Sequence, residues 1–259
     1  VWSEVWSEVW SEVWSEEAGP EGAPLIVLVH GSMDRSTGML KLSRQLDRAH
    51  RVARYDRRGY GRSVPAHGPH PGPFDMASQV DDLLGVLADR PAVLVGHSYG
   101  GNVALALTAR HPHLVRAVAI YETPLSWEPW WPGNTAGGAA VASADDPGRA
   151  AEQFMRRMIG DARWEALPER TRATRRAEGA AMVGELADLR ANVPWTPDRI
   201  RVPVIAGFGE HGSPHQRRGM EFVGEQIEGA RVVELPGCRH DAPLSHAALF
   251  AERIVQPLL

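Results

Sequence analysis

The stretch Ala92-Val-Leu-Val-Gly-His-Ser-Tyr-Gly-Gly101 constrains this chain more than any other. A β-branched apolar run, Ala92 to Val95, meets Gly96-His97-Ser98-Tyr99-Gly100-Gly101 and then a helical pattern from Asn102 to Arg110. A bare G-x-S-x-G is common by chance in a chain with 26 glycines, so the strand before it and the helix after it give it meaning. Such a turn is too tight for side chains at both flanking positions. Without Cβ atoms at Gly96 and Gly100 the backbone packs closely, and Ser98 takes the strained conformation at the tip. Its hydroxyl then stands above the sheet, with helix N–H groups directed at any negative charge that develops there. Ser98 is the candidate nucleophile; the alternative is a plain glycine-rich strand-to-helix turn.

The rest of the chain sets this turn in an α/β alternation. An apolar run, Leu25 to Val29, reads as a buried parallel strand and ends in His30-Gly31-Ser32-Met33. Helical patterning from Gly38 to Arg48 precedes a strand from Arg51 to Tyr55, and Phe74 to Asp89 reads as a helix with Val80, Leu83, Leu84 and Leu87 on one face. Val115 to Tyr121 is a further strand, ending at Glu122-Thr123-Pro124. Short-interval alternation of this kind implies a mostly parallel sheet with right-handed crossovers. It stops at Leu125. Residues 125–199 contain no convincing strand; they open with Trp127, Trp130 and Trp131 and continue as two or three helical segments, about Asp146 to Leu167 and Glu169 to Leu189. An insertion of this size between strands suits a lid over a site. Strands then resume over Val202–Gly209 and Ala230–Leu235, with a helix between them (Gln216 to Ile227) and a closing helix from Ser245 to Val255.

Composition narrows the partners. With 259 residues, 43% hydrophobic and 23% charged, the chain can bury a large core as one globular α/β domain. A formal charge of -4 gives no reason to expect nucleic acid or an anionic membrane. Cys238 is the single cysteine, so no internal disulfide forms and a cytoplasmic location is the expectation. No membrane-spanning apolar run or secretory leader is read, histidines are not at metal-ligand spacing, and no dinucleotide or phosphate loop follows the first long strand, so no cofactor or metal is expected. Four copies of Val-Trp-Ser-Glu occupy Val1 to Glu16. The last, Val13 to Glu16, reads as an edge strand and residues 1–12 as a duplication of it or an artificial extension; a tryptophan-lined binding surface is the alternative.

Taken together, His30-Gly31 after a strand, Asp56-x-Arg58-Gly59-x-Gly61-x-Ser63, the Ser98 turn and the late Gly237-x-x-His240 resemble the α/β-hydrolase fold from Val13 to the end. Tyr121-Glu122-Thr123-Pro124 is similar to a segment of small actinobacterial members. The resemblance implies a core over 13–124 and 200–259 with a helical lid, 125–199, after the sixth strand. It implies His240 as the base, with His246 second and His97 structural. The commonest family acid follows the seventh strand, but Gly212 stands there in Gly209-Glu210-His211-Gly212. Glu122, at the alternative acid position, is therefore preferred, with Glu210 and Asp241 left open. An oxyanion hole is expected from the N–H groups of Ser32 and Tyr99. Met33 is expected in the pocket, while Trp127, Trp130 and Trp131 form either an aromatic wall for substrate or core packing. Asp56 and Arg58 read as charges that tie loops together.

These readings imply a serine hydrolase of a carboxylic ester, thioester or lactone, acting on a small molecule with an apolar or aromatic part, as monomer or homodimer. Serine rather than aspartate at the tip argues against haloalkane and epoxide chemistry. Alternatives are C–C bond hydrolysis, a cyclisation or rearrangement on the same residues, or a ligand-binding member without catalysis.

Overall fold

The computed structural model describes residues 13–65 and 70–259, so the first three tetrapeptide repeats lie outside the described residues. Seven strands form one sheet: β1 Ser15–Ala18, β2 Leu25–Val29, β3 Arg51–Tyr55, β4 Ala92–His97, β5 Val115–Tyr121, β6 Val204–Gly209 and β7 Arg231–Leu235. Their spatial order is β1-β3-β2-β4-β5-β6-β7, with β1 antiparallel to β3 and every other pair parallel. The period-two alternation of strand side chains divides the core between the two faces. Val27, Val29, Leu94 and Ile120 face one way, towards α2 (Met76–Leu87) and α3 (Tyr99–Arg110). Ile26, Leu28, Val95 and Ala119 face the other, towards α1 (Leu40–Leu46) and the C-terminal segment. Burial on both sides explains why these strands read as unbroken apolar runs.

The edge strand begins at Ser15, two residues later than Val13. Ser15 pairs with Tyr55, the last residue of β3, and the ladder starts there. The turn after β3 takes up Trp14: its carbonyl accepts Asp56 N–H at 3.0 Å, and its N–H donates to Ser63 Oγ at 2.8 Å.

Between β5 and β6 lie five helices rather than two or three: α4 Ala136–Ala142, α5 Pro147–Ile159, α6 Asp161–Ala166, α7 Glu169–Ala177 and α8 Gly179–Ala191. Gly160, at φ +85°, breaks the first long segment, which Asp146 starts by accepting Arg149 N–H. On this chain's own count the insertion follows the fifth strand. The sixth strand that the resemblance implied ahead of it is not found among the described residues. Beyond β6 come α9 (Pro214–Gln226), α10 (Ala242–Ser245) and α11 (Ala247–Phe250). The expected closing helix is broken at His246, whose φ of -128° leaves the helical region, and its last part, Ala251–Val255, is a π-helical turn.

A buried ion pair fastens the insertion to the core. Arg57, after β3, bonds Glu185 of α8 through two nitrogens at 2.6 and 3.2 Å, and both side chains are fully buried. Tyr60 Oη donates to the same carboxylate at 2.7 Å and Gln79 Oε1 accepts from Arg57 at 3.0 Å. Burial alone would lower the Arg57 pKa, but Glu185 outweighs it and the net displacement is upward. Glu185→Gln should destabilise the protein by about 3–5 kcal/mol, because Arg57 is then left buried without an anion. Urea unfolding followed by tryptophan fluorescence checks this; a change below 1 kcal/mol would contradict it.

The Asp56 turn is likewise a brace. Asp56 accepts N–H bonds from Ser36 and Arg62 at 2.7 and 2.9 Å, while Arg58 forks onto Asp82 with two bonds of 2.6 Å.

Candidate active site

The carboxyl ends of β2, β4 and β5 and the loop after β7 converge on one cavity. Ser98 sits between β4 and α3 at φ 54°, ψ -126°, a backbone conformation that L residues rarely hold and that costs of order 1–3 kcal/mol. The surroundings hold it there. Ser98 N–H donates to Tyr121 O at 2.8 Å. A Cβ at Gly100 would press on the Val29 and His30 carbonyls, so only glycine lets the helix start this close to β2. Tyr99 opens α3, so its N–H has no intrahelical partner and faces outward from the helix end.

Glu122 is the second strained residue, at φ 45° just past β5. Its side chain is fully buried. Oε1 accepts Gly209 N–H at 2.9 Å, and Oε2 lies 2.7 Å from His240 Nδ1. A carboxylate can only accept here, so Nδ1 carries the proton and Nε2 keeps its lone pair. A Cβ on Gly212 would overlap the Glu122 carboxylate. The glycine that leaves the commonest acid position empty is thus the one that makes room for Glu122. The rival acids are engaged elsewhere: Glu210 accepts Gly237 N–H at 2.7 Å, and Asp241 precedes α10 as an exposed residue. His246 is exposed, against Ser245.

Two donors pin the histidine loop from the strand ends. Tyr121 Oη donates to Arg239 O at 3.0 Å, and His97 Nε2 donates to His240 O at 2.7 Å. Gln216 Nε2 lies 2.9 Å from His240 Nδ1, while its Oε1 accepts Ser213 N–H in a capping box at the start of α9. With Nδ1–H committed to Glu122, that amide is a wall against the ring edge rather than a donor to it. Sequence reading missed Gln216; the Ser213-Pro-His-Gln216 capping pattern was the available signal.

His97 and His30 are neutral supports. Burial, then the nearby His240, pushes His97 down to about 3. Burial and the Arg57 cation hold His30 well below the ordinary histidine value, with Nδ1–H donating to Gly31 O and Nε2 accepting Arg57 N–H. Both groups are easier to protonate in the unfolded chain. Their stabilisation is whole above pH 6.5 and shrinks as the pH falls through the interval below it, for His97 down to about 3. Unfolding free energy should drop by up to about 1.4 kcal/mol per pH unit for each histidine in that interval. Denaturant titrations at pH 7.5 and 4.5 check this, and a His97→Asn variant should show the shallower dependence.

The cavity holds about 270 Å³ and is lined by Ser32, Ser98, His240, His215 and Gln216 on the core side and by Trp131 at the start of the insertion. Phe154, Met158 and Leu186 face it from the insertion. Ser32 N–H bonds no described residue, and Ser32 Oγ is buried without a partner among them. Met33 is placed elsewhere: φ of +57° turns its side chain into the core, where it is 3% exposed. The three tryptophans separate. Trp131 lines the cavity, whereas Trp127 packs edge-on against Trp195 at 5.6 Å, and Trp130 packs against Phe222 with the Arg218 guanidinium 4.3 Å over its ring. Among the described residues no cluster of three or more His, Cys, Asp or Glu could hold a metal, and no helix is long and apolar enough to cross a membrane.

The chain is similar to known proteins in sequence and in fold. The sequence model of the alpha/beta hydrolase family matches residues 26–253. A pimeloyl-[acyl-carrier protein] methyl ester esterase of Neisseria meningitidis is 31% identical over 204 residues, 73% of this chain and 77% of the relative. The esterase of the same description from Aromatoleum aromaticum is 30% identical over 219 residues, 75% and 86% of the two chains. Among solved structures, the enol-lactonase from Burkholderia xenovorans LB400 superposes with a TM-score of 0.70 at 25% identity, covering 93% of this chain and 94% of its own. A thermophilic esterase from Thermogutta terrifontis, at 21% identity, shares the fold with a TM-score of 0.70 over 90% of this chain and 88% of its own. The chain belongs to the α/β hydrolase family.

Proposed function

We propose that this protein is a serine hydrolase that cleaves a carboxylic ester, thioester or lactone through an acyl-enzyme on Ser98. The observation that carries the reading is the 2.7 Å contact between His240 Nδ1 and the buried Glu122 carboxylate, at a cavity that Ser98 also lines. Ser98 Oγ attacks the substrate carbonyl as His240 Nε2 takes its proton, and Glu122 stabilises the imidazolium. The N–H groups of Ser32 and Tyr99 receive the tetrahedral oxyanion. As the intermediate collapses, the C–O or C–S bond breaks and the leaving alcohol or thiol takes the proton from His240. Water then gives a proton to His240 and attacks the acyl carbon; the acid leaves and Ser98 is reprotonated.

The 125–199 insertion serves as the lid, with Phe154, Met158 and Leu186 against the acyl chain and Trp131 opposite. The relatives' activities on a methyl ester and an enol-lactone support the same reaction class. A panel of short methyl esters, thioesters and lactones, read by mass spectrometry, tests the proposal. The expected result is a carboxylic acid with its alcohol or thiol, and a transient acyl adduct on Ser98. Products of C–C cleavage or cyclisation instead would overturn it.

A further inference from the structure

The cavity carries positive charge that ester hydrolysis does not use. Arg157 of α5 and Arg190 of α8 both line it. Arg157 Nη2 donates to Asn134 O at 2.9 Å and Arg190 Nη2 to Thr135 Oγ1 at 3.0 Å, so the two guanidinium groups converge on adjoining residues. Neither has a carboxylate partner among the described residues. Four other arginines of α5 to α8 do: Arg156 with Glu152 and Glu165, Arg172 with Glu165 and Glu169, Arg175 with Glu178, and Arg176 with Glu152 and Glu169, while Arg149, Arg163 and Arg170, which lack one among the described residues, do not line the cavity. Among the described residues Glu122 is the sole acidic one lining the cavity, and both its oxygens are taken, by Gly209 N–H and His240.

Arg190 is half-buried, and burial without a compensating anion pushes its pKa down. Its Nη2 lies where Cβ atoms on Gly137 and Gly138 would come to 3.8 and 3.1 Å, so the backbone there leaves room for the guanidinium. A guanidinium has five N–H donors in a fixed fork, and the described residues provide Arg190 with one acceptor. An anion in the cavity would form charge-assisted bonds with the donors that remain open.

Building on the hydrolase reading of Ser98, we propose that Arg190, together with Arg157, binds an anionic group, carboxylate or phosphate, at the end of the substrate remote from the scissile carbonyl. Phe154, Met158 and Leu186 line the same cavity and suit an apolar chain joining the two ends. The substrate class is thus an ester, thioester or lactone with an apolar middle and a charged terminus. At about 270 Å³ the cavity is near the lower end of small-molecule sites, roughly 300 Å³, which favours a short chain over a long lipid.

The test compares monomethyl esters of linear dicarboxylic acids with the matching dimethyl esters across chain lengths, and with one matched ester ending in a phosphate. Wild type should favour an anionic substrate in kcat/KM by about 10- to 100-fold, the worth of a charge-assisted contact. The preference should peak at one chain length and weaken with added salt. Preference for the carboxylate or the phosphate terminus names the anion. Arg190→Gln should lower the ratio of anionic to neutral substrate, mainly through KM, and Arg190→Lys should restore part of it. Efficient cleavage of both ester types at an equal rate, or a ratio unmoved by Arg190→Gln, would overturn the anion site and leave the hydrolase reading standing. If no ester is cleaved, that reading fails and calorimetry decides the site: a monomethyl dicarboxylate should bind Ser98→Ala and bind Ser98→Ala/Arg190→Gln more weakly. Equal binding, or none to either, would overturn it.

Discussion

Glu122→Gln should lower kcat about 10⁴-fold while leaving the fold intact, measured on any ester the wild type cleaves. The amide has nearly the same shape, and the bond from Gly209 N–H can persist through its oxygen. The amide NH₂ then faces His240 Nδ1 and favours the tautomer that places the proton on Nε2. A protonated Nε2 cannot accept the Ser98 proton. Gly212 gives the same claim a second test. A side chain there overlaps the Glu122 carboxylate, so Gly212→Asp alone should be inactive and destabilised. Its φ lies outside the left-handed region, so the backbone admits an L residue. Combined with Glu122→Ala, the same aspartate should restore part of the lost rate, because it enters the space the glutamate vacates. A double variant no better than Glu122→Ala would show that the carboxylate's position, not its presence near His240, is what matters.

Ser98→Ala should cost about 10⁶-fold in kcat and abolish the acyl adduct. Stability should hold or rise slightly, because the Ser98 side chain makes no capping bond to α3, and its strained backbone is fixed by Tyr121 O and by the glycines on either side. Circular dichroism and urea unfolding separate loss of chemistry from loss of structure. Residual turnover within 100-fold of wild type would point to a nucleophile other than Ser98.

The core of this fold was legible because its signals are local. Leu25 to Val29 is apolar on both faces and Val115 to Tyr121 is so from Ala117 onward, and the bounds of both strands agree with the sequence reading residue for residue. The turn at Ser98 was legible because glycines on both sides leave the backbone few choices. Glu122 could be preferred because Gly212 removed the usual rival, although the collision linking the two positions exists only in three dimensions. Other features depend on contacts made at long range. Trp127, Trp130 and Trp131 share one composition but have three fates, decided by Trp195, Phe222 and the cavity. Met33 follows the expected oxyanion loop, yet a single positive φ turns it inward. The pairing of Arg57 with Glu185 spans 128 residues, and nothing in either local pattern announces it. Arg157 and Arg190 stand among many arginines and are distinguished only by lining the cavity with no acid paired to them among the described residues.

The most direct measurement of the central claim is labelling with a fluorophosphonate, followed by intact mass and peptide mapping of wild type, Ser98→Ala and Glu122→Gln. The expected result is rapid single labelling of wild type on the peptide that carries Ser98, strongly slowed labelling of Glu122→Gln, and none of Ser98→Ala. A wild type that stays unlabelled, or a label on Ser32 in the same cavity, would contradict the assignment of an activated serine at position 98.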